Sequence, residues 1–339
     1  PAPTVIAARR IREATKARCP LALTGVNMGG GPVTEAMQQH LQAGLPVYAT
    51  AEAAATFDDD MERVQAMGVS LVSCDETRVL PGVYTVELRD LDLEMVRLAL
   101  AAYEVAPEWD ALAVAVFDHG NAPPGYSDRK FRFDHLRRQV RGGELEVTAF
   151  SYLRHEVPEY MTRMLAVAQS VDADTPLLLM DTAEAAVLGA LEDERVASRP
   201  CKVIVNIGNG HTLAFHLHDS TIQGLFEHHT HLLTRSKLES YILRLVHGDL
   251  DDPEIWLDQG HGAIVLREEA GMPFLSVTGP QRRLMEGSTL SPYFATPHGD
   301  MMLTGAFGLV RAWAEKYEPW REEITRALRP RGCGAAYRS

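Results

Sequence analysis

Short apolar runs alternate with helix-forming stretches along most of the chain, and this alternation is the feature that most constrains its fold. Leu112–Phe117 and Lys202–Asn206 have the pattern of buried strands, while Val33–Gln42 and Met301–Lys316 have that of helices. Strands that alternate with helices are typical of α/β proteins. Because 339 residues exceed one ordinary hydrophobic core, we predict two domains, residues 1–174 and 175–339.

Composition and charge exclude several classes of protein. Hydrophobic residues make up 46% and charged residues 23% of the chain, which is ordinary for a globular protein. The net charge of −13 repels polyanions, so we expect neither nucleic acid nor a membrane surface as a partner. The cysteines are scattered and form no C-x-x-C motif: Cys19, Cys74, Cys201 and Cys333. Free thiols fit the reducing cytosol, and we therefore expect a cytoplasmic protein.

The segment Val203–Phe215, V-I-V-N-I-G-N-G-H-T-L-A-F, predicts two strands joined by a tight turn. Gly208 and Gly210 permit positive φ angles, and Asn209 tolerates the left-handed region. Successive exposed N–H groups in such a turn can bind an anion. A plain hairpin without a ligand is the alternative.

Three further segments place small or acidic residues where ligands gather in α/β proteins. Asp181 follows the strand Leu177–Met180 and starts a helix of small residues. Phe274–Leu284 predicts a strand, a turn and a helix, and Asp300–Ala312 predicts a helix rich in glycine and alanine. Each of them alone is equally explained by helix capping or packing.

Taken in order, these segments resemble the second half of the actin, sugar-kinase and heat-shock-chaperone ATPase superfamily (ASKHA). Asp181–Gly189 resembles its first connecting helix and Asn206–Thr212 its second phosphate loop. Thr278–Arg282 resembles its adenosine turn and Met301–Val310 its second connecting helix. The resemblance implies two ribonuclease-H-like domains around a cleft that holds ATP and Mg²⁺. The superfamily's N-terminal phosphate hairpin, D-x-G-x-G, is missing here and would lie upstream of Pro1.

The resemblance also implies roles for individual residues. Asp181 would serve the Mg²⁺ shell, and Asn206 stands where the superfamily has an aspartate. The residues implied to bind the nucleotide are Asn206, Gly208, Asn209, Gly210, His211, Thr212, Thr278, Gly279 and Gly305. The implied function is a small-molecule phosphotransferase or ATPase. The alternative is a nucleotide-sensing activator of a partner enzyme that does not itself catalyse a reaction. Because this fold often dimerises, a homodimer is expected.

The whole chain also resembles a narrower family whose members are often labelled pyruvate formate-lyase activating proteins. The matching segments are T-G-V-N-M-G-G-G-P, D-H-G-N-A-P-P-G-Y-S-D-R, N-I-G-N-G-H-T, F-E-H-H-T, T-G-P-Q-R and P-H-G-D-M-M-L-T-G. Radical-SAM activation needs three clustered cysteines, typically C-x-x-x-C-x-x-C, to hold an iron–sulfur cluster. The four scattered cysteines cannot supply this motif, so we predict that the chain is not a radical-SAM enzyme.

Eight of the 13 histidines lie between His211 and His261, which indicates a second candidate site. In E-H-H-T-H, an extended backbone places Glu227, His229 and His231 on one face. Such a set can bind Zn or Fe, which would make the protein a metal-dependent enzyme, with His119 or His211 as a further ligand. A helix would instead align His228 with His231. Exposed or hydrogen-bonded histidines are the structural alternative, and His216 and His218 are expected to face solvent.

Asp118 and His119 follow the strand Leu112–Phe117 and mark the edge where a substrate would lie. Asp118 is the candidate general base, beside His119, and Arg129 and Arg132 follow in the sequence. These groups can bind and activate a small anionic or phosphorylated substrate. A loop held by Asp–Arg pairs is the alternative. The glycine-rich segment Thr24–Pro32 permits either an anion site at a helix start or a tight turn.

Overall fold

The chain is an α/β protein, as the alternation of strands and helices predicts, in a computed structural model that describes residues 2–141 and 145–329. The elements up to the first long connection are α1 (Pro3–Ala17), β1 (Leu21–Gly25), α2 (Gly31–Gln42), β2 (Val47–Ala49), α3 (Ala51–Ala54), α4 (Met61–Ala66), β3 (Val69–Leu71), α5 (Cys74–Val79), β4 (Tyr84–Leu88) and α6 (Leu93–Ala102). The elements that follow are β5 (Leu112–Ala115), α7 (Asp128–Arg141), β6 (Ser151–Leu153), α8 (Thr162–Gln169), β7 (Leu177–Met180), α9 (Thr182–Ala190), α10 (Glu194–Ala197), β8 (Cys201–Ile207), β9 (His211–His218), β10 (Thr221–His229), α11 (Arg235–His247), α12 (Asp252–Leu257), β11 (Gly262–Val265), β12 (Phe274–Thr278), β13 (Tyr293–Phe294), α13 (Thr304–Lys316) and α14 (Glu318–Ala327).

The chain divides into two compact units, and the first comprises residues 1–112, 120–125 and 157–177. Its sheet has the strand order β3-β2-β1-β4, and all of its strands run parallel. Leu23, Met37 and Val86 belong to the core between this sheet and its helices. A parallel sheet needs crossover connections, and the helices between its strands supply them.

The second unit comprises residues 113–119, 126–156 and everything from 178 onward. Its main sheet has the order β11-β10-β9-β8-β12-β13. Strands β8 to β11 pair antiparallel in sequence order, whereas β12 pairs parallel with β8 and β13 parallel with β12. Both faces of β8 and β9 are buried: Val205 lies in the core that α11 covers with Leu245, and Phe215 is buried on the opposite face. This antiparallel meander brings the ends of β9, β10 and β11 side by side.

A second sheet, with the order β5-β7-β6, lies almost entirely in the same unit. The N–H group of Val116 donates to the carbonyl of Met180 at 3.0 Å, so the chain segments that follow β5 and β7 leave this sheet together. The sequence predicts one boundary between residues 174 and 175, whereas the contact-based units interleave. Residues 113–119 and 126–156 belong to the second unit because β5 and β6 pair with β7.

Helices α9 and α13 cross at glycine residues. A Cβ atom at Gly189 would lie 1.7 Å from the carbonyl oxygen of Thr304, and one at Gly308 would lie 1.9 Å from that of Ala185. Only residues without a side chain allow this approach, so the small residues of both helices are needed for packing. Within residues 2–141 and 145–329, no helix combines the length and the apolar character needed to cross a bilayer.

Candidate metal centre

Three histidines come together at neighbouring strand ends of the second unit. His211 begins β9 and lies directly opposite His229, the last residue of β10, in the antiparallel register. His261 precedes β11, and its N–H group donates to the carbonyl of Glu227 at 2.9 Å. Two imidazoles therefore come from the paired ends of β9 and β10, and the third comes from the residue just before β11.

The three rings form a nearly equilateral triangle. The ring centroids of His211 and His229 are 4.8 Å apart, those of His211 and His261 5.0 Å, and those of His229 and His261 4.9 Å. One nitrogen of each ring lies within 4.8 Å of the others. Around a tetrahedral zinc ion with Zn–N bonds of about 2.0 Å, ligand nitrogens are about 3.3 Å apart. The nitrogens would have to approach one another by up to about 1.5 Å to bind one zinc ion together.

Several ring nitrogens of the cluster have no hydrogen-bond partner. Nε2 of His211 and both ring nitrogens of His261 are buried and make no hydrogen bond within the described residues. Burial lowers the pKa of His211 to about 3 and that of His261 to about 2, and burial followed by the charge of His231 lowers the pKa of His229. The imidazoles are therefore neutral and keep the lone pair that a metal ion requires.

A buried network of charges lies beside the histidines. The Arg132 Nε lies 2.9 and 3.0 Å from the two carboxylate oxygens of Glu227, and its Nη1 lies 2.9 Å from Asp181 Oδ2. The same Nη1 donates to the carbonyl of Asp118 at 2.9 Å. Although burial opposes the charge on Arg132, the neighbouring carboxylates Asp181 and Glu227 raise its pKa above the ordinary value. The guanidinium thus holds two carboxylates and the end of β5 in place.

Glu184 is a second buried acid in this network. Its side chain is fully enclosed, and its Oε2 has no hydrogen-bond partner within the described residues. Burial, and then the charge of Asp181, raise the pKa of Glu184 well above its usual range. The pKa of Asp181 is lowered because Arg132 and the N–H groups of Ala183 and Asp118 outweigh the effect of burial. One proton on Glu184 therefore coexists with a charged Asp181.

The rings of Phe117 and His119 both lie next to His211. The rings of Phe117 and His211 stack at 4.2 Å with an interplanar angle of 9°, and the Arg132 guanidinium lies 4.1 Å from the Phe117 ring centroid. His119 is exposed, with its ring centroid 5.6 Å from that of His211 and 6.2 Å from that of His261. His119 thus lies at the open side of the cluster.

Arg129 lies on the His261 side of the cluster. Its Nη1 donates to the carbonyl of Gly260 at 2.8 Å, and its Cζ lies 3.8 Å from the Trp256 ring centroid. Its charge is one of the causes that lower the pKa values of His229 and His261. No carboxylate of the described chain lies within ion-pair distance of this guanidinium.

The candidate ligand set in the structure differs from the one expected from the sequence, Glu227, His229 and His231. The strand ends at His229, and His231 lies in the 3-10 turn Thr230–Leu232 outside the ligand group. Both Glu227 oxygens are bound by Arg132, so this carboxylate supports the site from behind. The expectation that His216 faces solvent is wrong, because its side chain is fully buried in the sheet.

His261 is the candidate ligand that the sequence analysis did not select. A local signal exists, because His261 lies between two glycines. A Cβ at Gly260 would lie 2.5 Å from His228 Cδ2, and one at Gly262 would lie 2.4 Å from Phe133 Cδ1. A histidine between two glycines that lack room for a side chain marks a tightly enclosed segment. The residues that surround His261 are determined by the pairing of β10 with β11, and the sequence does not reveal this pairing.

The acidic candidates Asp118 and Asp181 are both buried. Asp181 Oδ2 accepts from Arg132 and from the N–H of Asp118, and Oδ1 accepts from the N–H of Ala183. Asp181 is therefore occupied as a helix cap and ion-pair partner. A role in a Mg²⁺ shell would require these bonds to be exchanged.

The predicted phosphate hairpin forms, but it does not use the expected backbone angles. Neither Gly208 nor Gly210 has a positive φ. At Gly208 the requirement is space, since a Cβ would lie 2.6 Å from the carbonyl oxygen of His211. Gly279 does have a positive φ of 98°, and a Cβ there would lie 2.5 Å from the carbonyl oxygen of Ile207. The predicted adenosine turn therefore packs directly on the end of β8.

The other residues implied to bind the nucleotide have different environments. Asn209 is exposed and accepts a hydrogen bond from Gln281 at 2.9 Å. Thr212, which bonds Thr230 at 3.0 Å, and Thr278 are buried. Asn206 is buried as well, and no atom lies within 4 Å of a Cβ built on Gly305.

A carboxylate of the protein itself, that of Asp90, lies beside the glycine-rich loop of the first unit. The N–H of Gly29 faces Asp90 Oδ1 at 3.4 Å, and Arg163 binds both oxygens of Asp90 at 2.6 and 2.9 Å. A carboxylate of the chain thus lies at the start of α2, where an external anion was considered.

The fold and the histidine cluster define an α/β protein with a candidate mononuclear metal centre. The chain belongs to the family described as "Putative pyruvate format-lyase activating enzyme (DUF1786)", whose model matches residues 28–284. The three histidines, His119 and Arg129 all lie within the matched region. Searches of curated proteins and of solved structures find no match. Of the four cysteines, Cys19, Cys74 and Cys201 are free thiols, and Cys333 lies outside the described residues.

Proposed function

We propose that the protein is a metal-dependent enzyme with one zinc or iron ion held by His211, His229 and His261. A single observation carries this proposal: three imidazoles at neighbouring strand ends are equally spaced, and Nε2 of His211 and both ring nitrogens of His261 are buried without hydrogen-bond partners within the described residues. Buried polar atoms are normally satisfied, so such unpaired nitrogens need an explanation. A bound metal ion supplies one.

The ligand set indicates the type of chemistry. Three protein ligands leave a coordination position for water or substrate, which distinguishes catalytic zinc sites from closed structural ones. A metal ion in such a site would lower the pKa of its bound water and so supply a nucleophile near neutral pH. His119, exposed beside the cluster, is placed to accept or deliver protons at the open side. We therefore infer a hydrolytic or hydration reaction on a small molecule.

The surrounding residues support a site whose ligands are held rigidly. His211 stacks on Phe117, and the carbonyl of Glu227 fixes the backbone of His261. Supporting contacts of this kind orient metal ligands and commonly change metal affinity by about 10- to 100-fold. Arg132 in turn fixes the side chain of Glu227 through two short contacts.

The test compares metal content and affinity in two matched variants. We expect purified wild-type protein, loaded with zinc and dialysed, to retain a stoichiometric amount of metal. His261→Ala should lose this binding, whereas His231→Ala, which removes an exposed histidine outside the ligand group, should retain it. Circular dichroism confirms that both variants are folded. Well-folded wild-type protein without tight zinc or iron binding would overturn the proposal.

A second candidate function is binding of ATP with Mg²⁺, as in the actin-like superfamily. Its support is the packing of the four resembling segments in one unit: α9 crosses α13 at Gly189 and Gly308, and Gly279 contacts Ile207. We infer that this unit is the second ribonuclease-H-like domain. The same proposal includes a first ribonuclease-H-like domain that lacks the phosphate hairpin. The support comes from the second unit alone.

Calorimetric titration with Mg·ATP tests the second candidate. Micromolar binding that is weakened by substitution of Asn209, which lies exposed at the hairpin tip, would support it. Binding with turnover would indicate a phosphotransferase or ATPase, and binding without turnover an activator of a partner enzyme. No binding by the folded chain would remove ATP as a cofactor. The family description names pyruvate formate-lyase activation, but the sequence has no cysteine triad for radical-SAM chemistry.

A further inference from the structure

We propose that Arg129 is a substrate-binding residue that holds an anionic oxygen group, a carboxylate or a phosphate, beside the metal ion. This inference rests on the proposed metal centre and adds the chemical class of its substrate. Arg129 lies in the same unit as the three histidines, and its hydrogen-bond acceptor, Gly260, directly precedes His261. The guanidinium is therefore anchored to the segment that carries one of the ligands.

The side chain of Arg129 is held in place without being neutralised. Stacking on Trp256 at 3.8 Å and one hydrogen bond to Gly260 restrict its position. Within the described residues it makes no ion pair, although 46 acidic residues give the whole chain a net charge of −13. A guanidinium has five N–H donors, so most of its donors are free to bind oxygen atoms. Its planar fork matches the two oxygens of a carboxylate or phosphate.

The nearby carboxylates are committed to another partner. Glu227 and Asp181 both bind Arg132, and Glu227 is the acid closest to His261, with 3.8 Å between its Oε2 and the His261 Nδ1. Three neutral imidazoles would leave the two positive charges of a zinc ion uncompensated by its ligands. An unpaired guanidinium next to such an ion adds to the positive potential. An anionic group of the substrate would satisfy both charges.

The space beside these residues suits a small molecule. Lys130, Trp256 and His261 are among the residues that line a cavity of about 240 Å³. The apolar face of the cavity comes from Trp256 and Phe133, and Arg129 contacts this wall through Trp256. The two acids of the lining, Asp134 and Asp252, are both paired with Arg137, at 2.6 and 2.7 Å, and Lys130 adds a further cation. Sites of this kind combine apolar walls with a few charged groups that fix the orientation of the ligand. We therefore infer a small organic anion rather than a macromolecule.

Cobalt-substituted protein provides the test, because the visible spectrum of Co²⁺ reports on a group that approaches the metal. We would titrate the cobalt protein with acetate, with inorganic phosphate and with neutral acetamide. The expected result is a saturable spectral change with one or both anions and none with acetamide. A response to acetate alone indicates a carboxylate substrate, and a response to phosphate alone indicates a phosphorylated one.

The matched variants are Arg129→Gln and Arg138→Gln, which remove the same charge from the same helix, α7. Arg138 is exposed and serves as the control. We expect Arg129→Gln to weaken anion binding by about 10- to 100-fold, the effect of losing a charged hydrogen-bond donor, while its spectrum without anion stays unchanged. Arg129→Lys should restore part of the affinity.

The outcomes separate the two proposals. If wild-type protein binds no cobalt, the metal centre is wrong and this inference fails with it. If cobalt binds and anions shift its spectrum equally in wild type and Arg129→Gln, the metal centre stands and the role of Arg129 is wrong. The same conclusion follows if acetate, phosphate and acetamide all leave the spectrum unchanged.

Discussion

Arg132 and Glu227 form a buried ion pair in which the guanidinium Nε lies 2.9 and 3.0 Å from the two carboxylate oxygens. Their side chains are only 3% and 1% exposed. Because the same arginine also binds Asp181, one cation on α7 joins the end of β10 to the start of α9. The candidate metal centre lies directly beside this junction, so its geometry depends on the pair.

Replacing Arg132 is expected to destabilise the fold strongly. Arg132→Met would leave the carboxylates of Glu227 and Asp181 buried without their cation. Breaking a buried pair in this way typically costs about 3–5 kcal/mol of unfolding free energy. Urea denaturation followed by circular dichroism measures the change. Arg138→Met, at an exposed position of the same helix, should change stability by less than about 0.5 kcal/mol. A loss below about 1 kcal/mol for Arg132→Met would show that the pair is not structurally important.

The crossing of α9 and α13 predicts opposite effects of one substitution at two positions of α13. Gly308→Ala should destabilise the protein by several kcal/mol, since its Cβ would lie 1.9 Å from the carbonyl oxygen of Ala185 and force the helices apart. Gly305→Ala meets no atom within 4 Å and should be neutral or stabilising by up to about 1 kcal/mol, because alanine favours a helix. Thermal unfolding of the two variants measures this difference. Equal melting temperatures would contradict the close crossing.

His216 is expected to make the fold sensitive to mild acid. Burial lowers its pKa in the folded state below the usual value of 6.5, so the unfolded chain takes up the proton first. The stability contribution is therefore present above pH 6.5 and is lost as the pH falls below it, by about 1.4 kcal/mol per pH unit. His216→Met should reduce the overall slope by this share, while His218→Met, exposed on the same strand, should leave it unchanged. Urea denaturation between pH 7.5 and 5 measures the slopes. Equal slopes for wild type and His216→Met would show that burial does not lower the pKa of His216 in the folded state.

The stacking of Phe117 on His211 predicts an effect on metal affinity. Phe117→Leu keeps an apolar side chain but removes the flat surface that fixes the imidazole ring at 4.2 Å. We expect metal binding to weaken by about 10-fold or more. Competition with a chromophoric chelator measures the affinity. Phe131→Leu, a change of the same size on α7, is the control and should bind metal like wild type. Unchanged affinity in Phe117→Leu would mean that the sheet alone positions His211.

Local patterns predicted much of the framework. The run Leu177–Met180 is a strand, and the stretches Val33–Gln42 and Met301–Lys316 are helices, all close to the predicted bounds. Their patterns are strong because one face of each element, or the whole strand, must leave water. The strand Thr221–His229 shows the limit of this approach. Its polar residues Glu227 and His228 are fully buried, which local hydropathy does not indicate.

The sequence by itself determined the α/β class, the hairpin around Gly208 and the concentration of histidines near the candidate site. Only the tertiary structure decided which histidines meet. His211 and His229 are paired by the register of β9 and β10, and His261 joins them because β11 adds to the same edge of the meander. The tertiary structure also assigned Glu227 and Asp181 to Arg132 rather than to a metal ion. The physical reason is that strand pairing and the burial of charge depend on contacts between distant segments, whereas spacing along the chain reports only on neighbours.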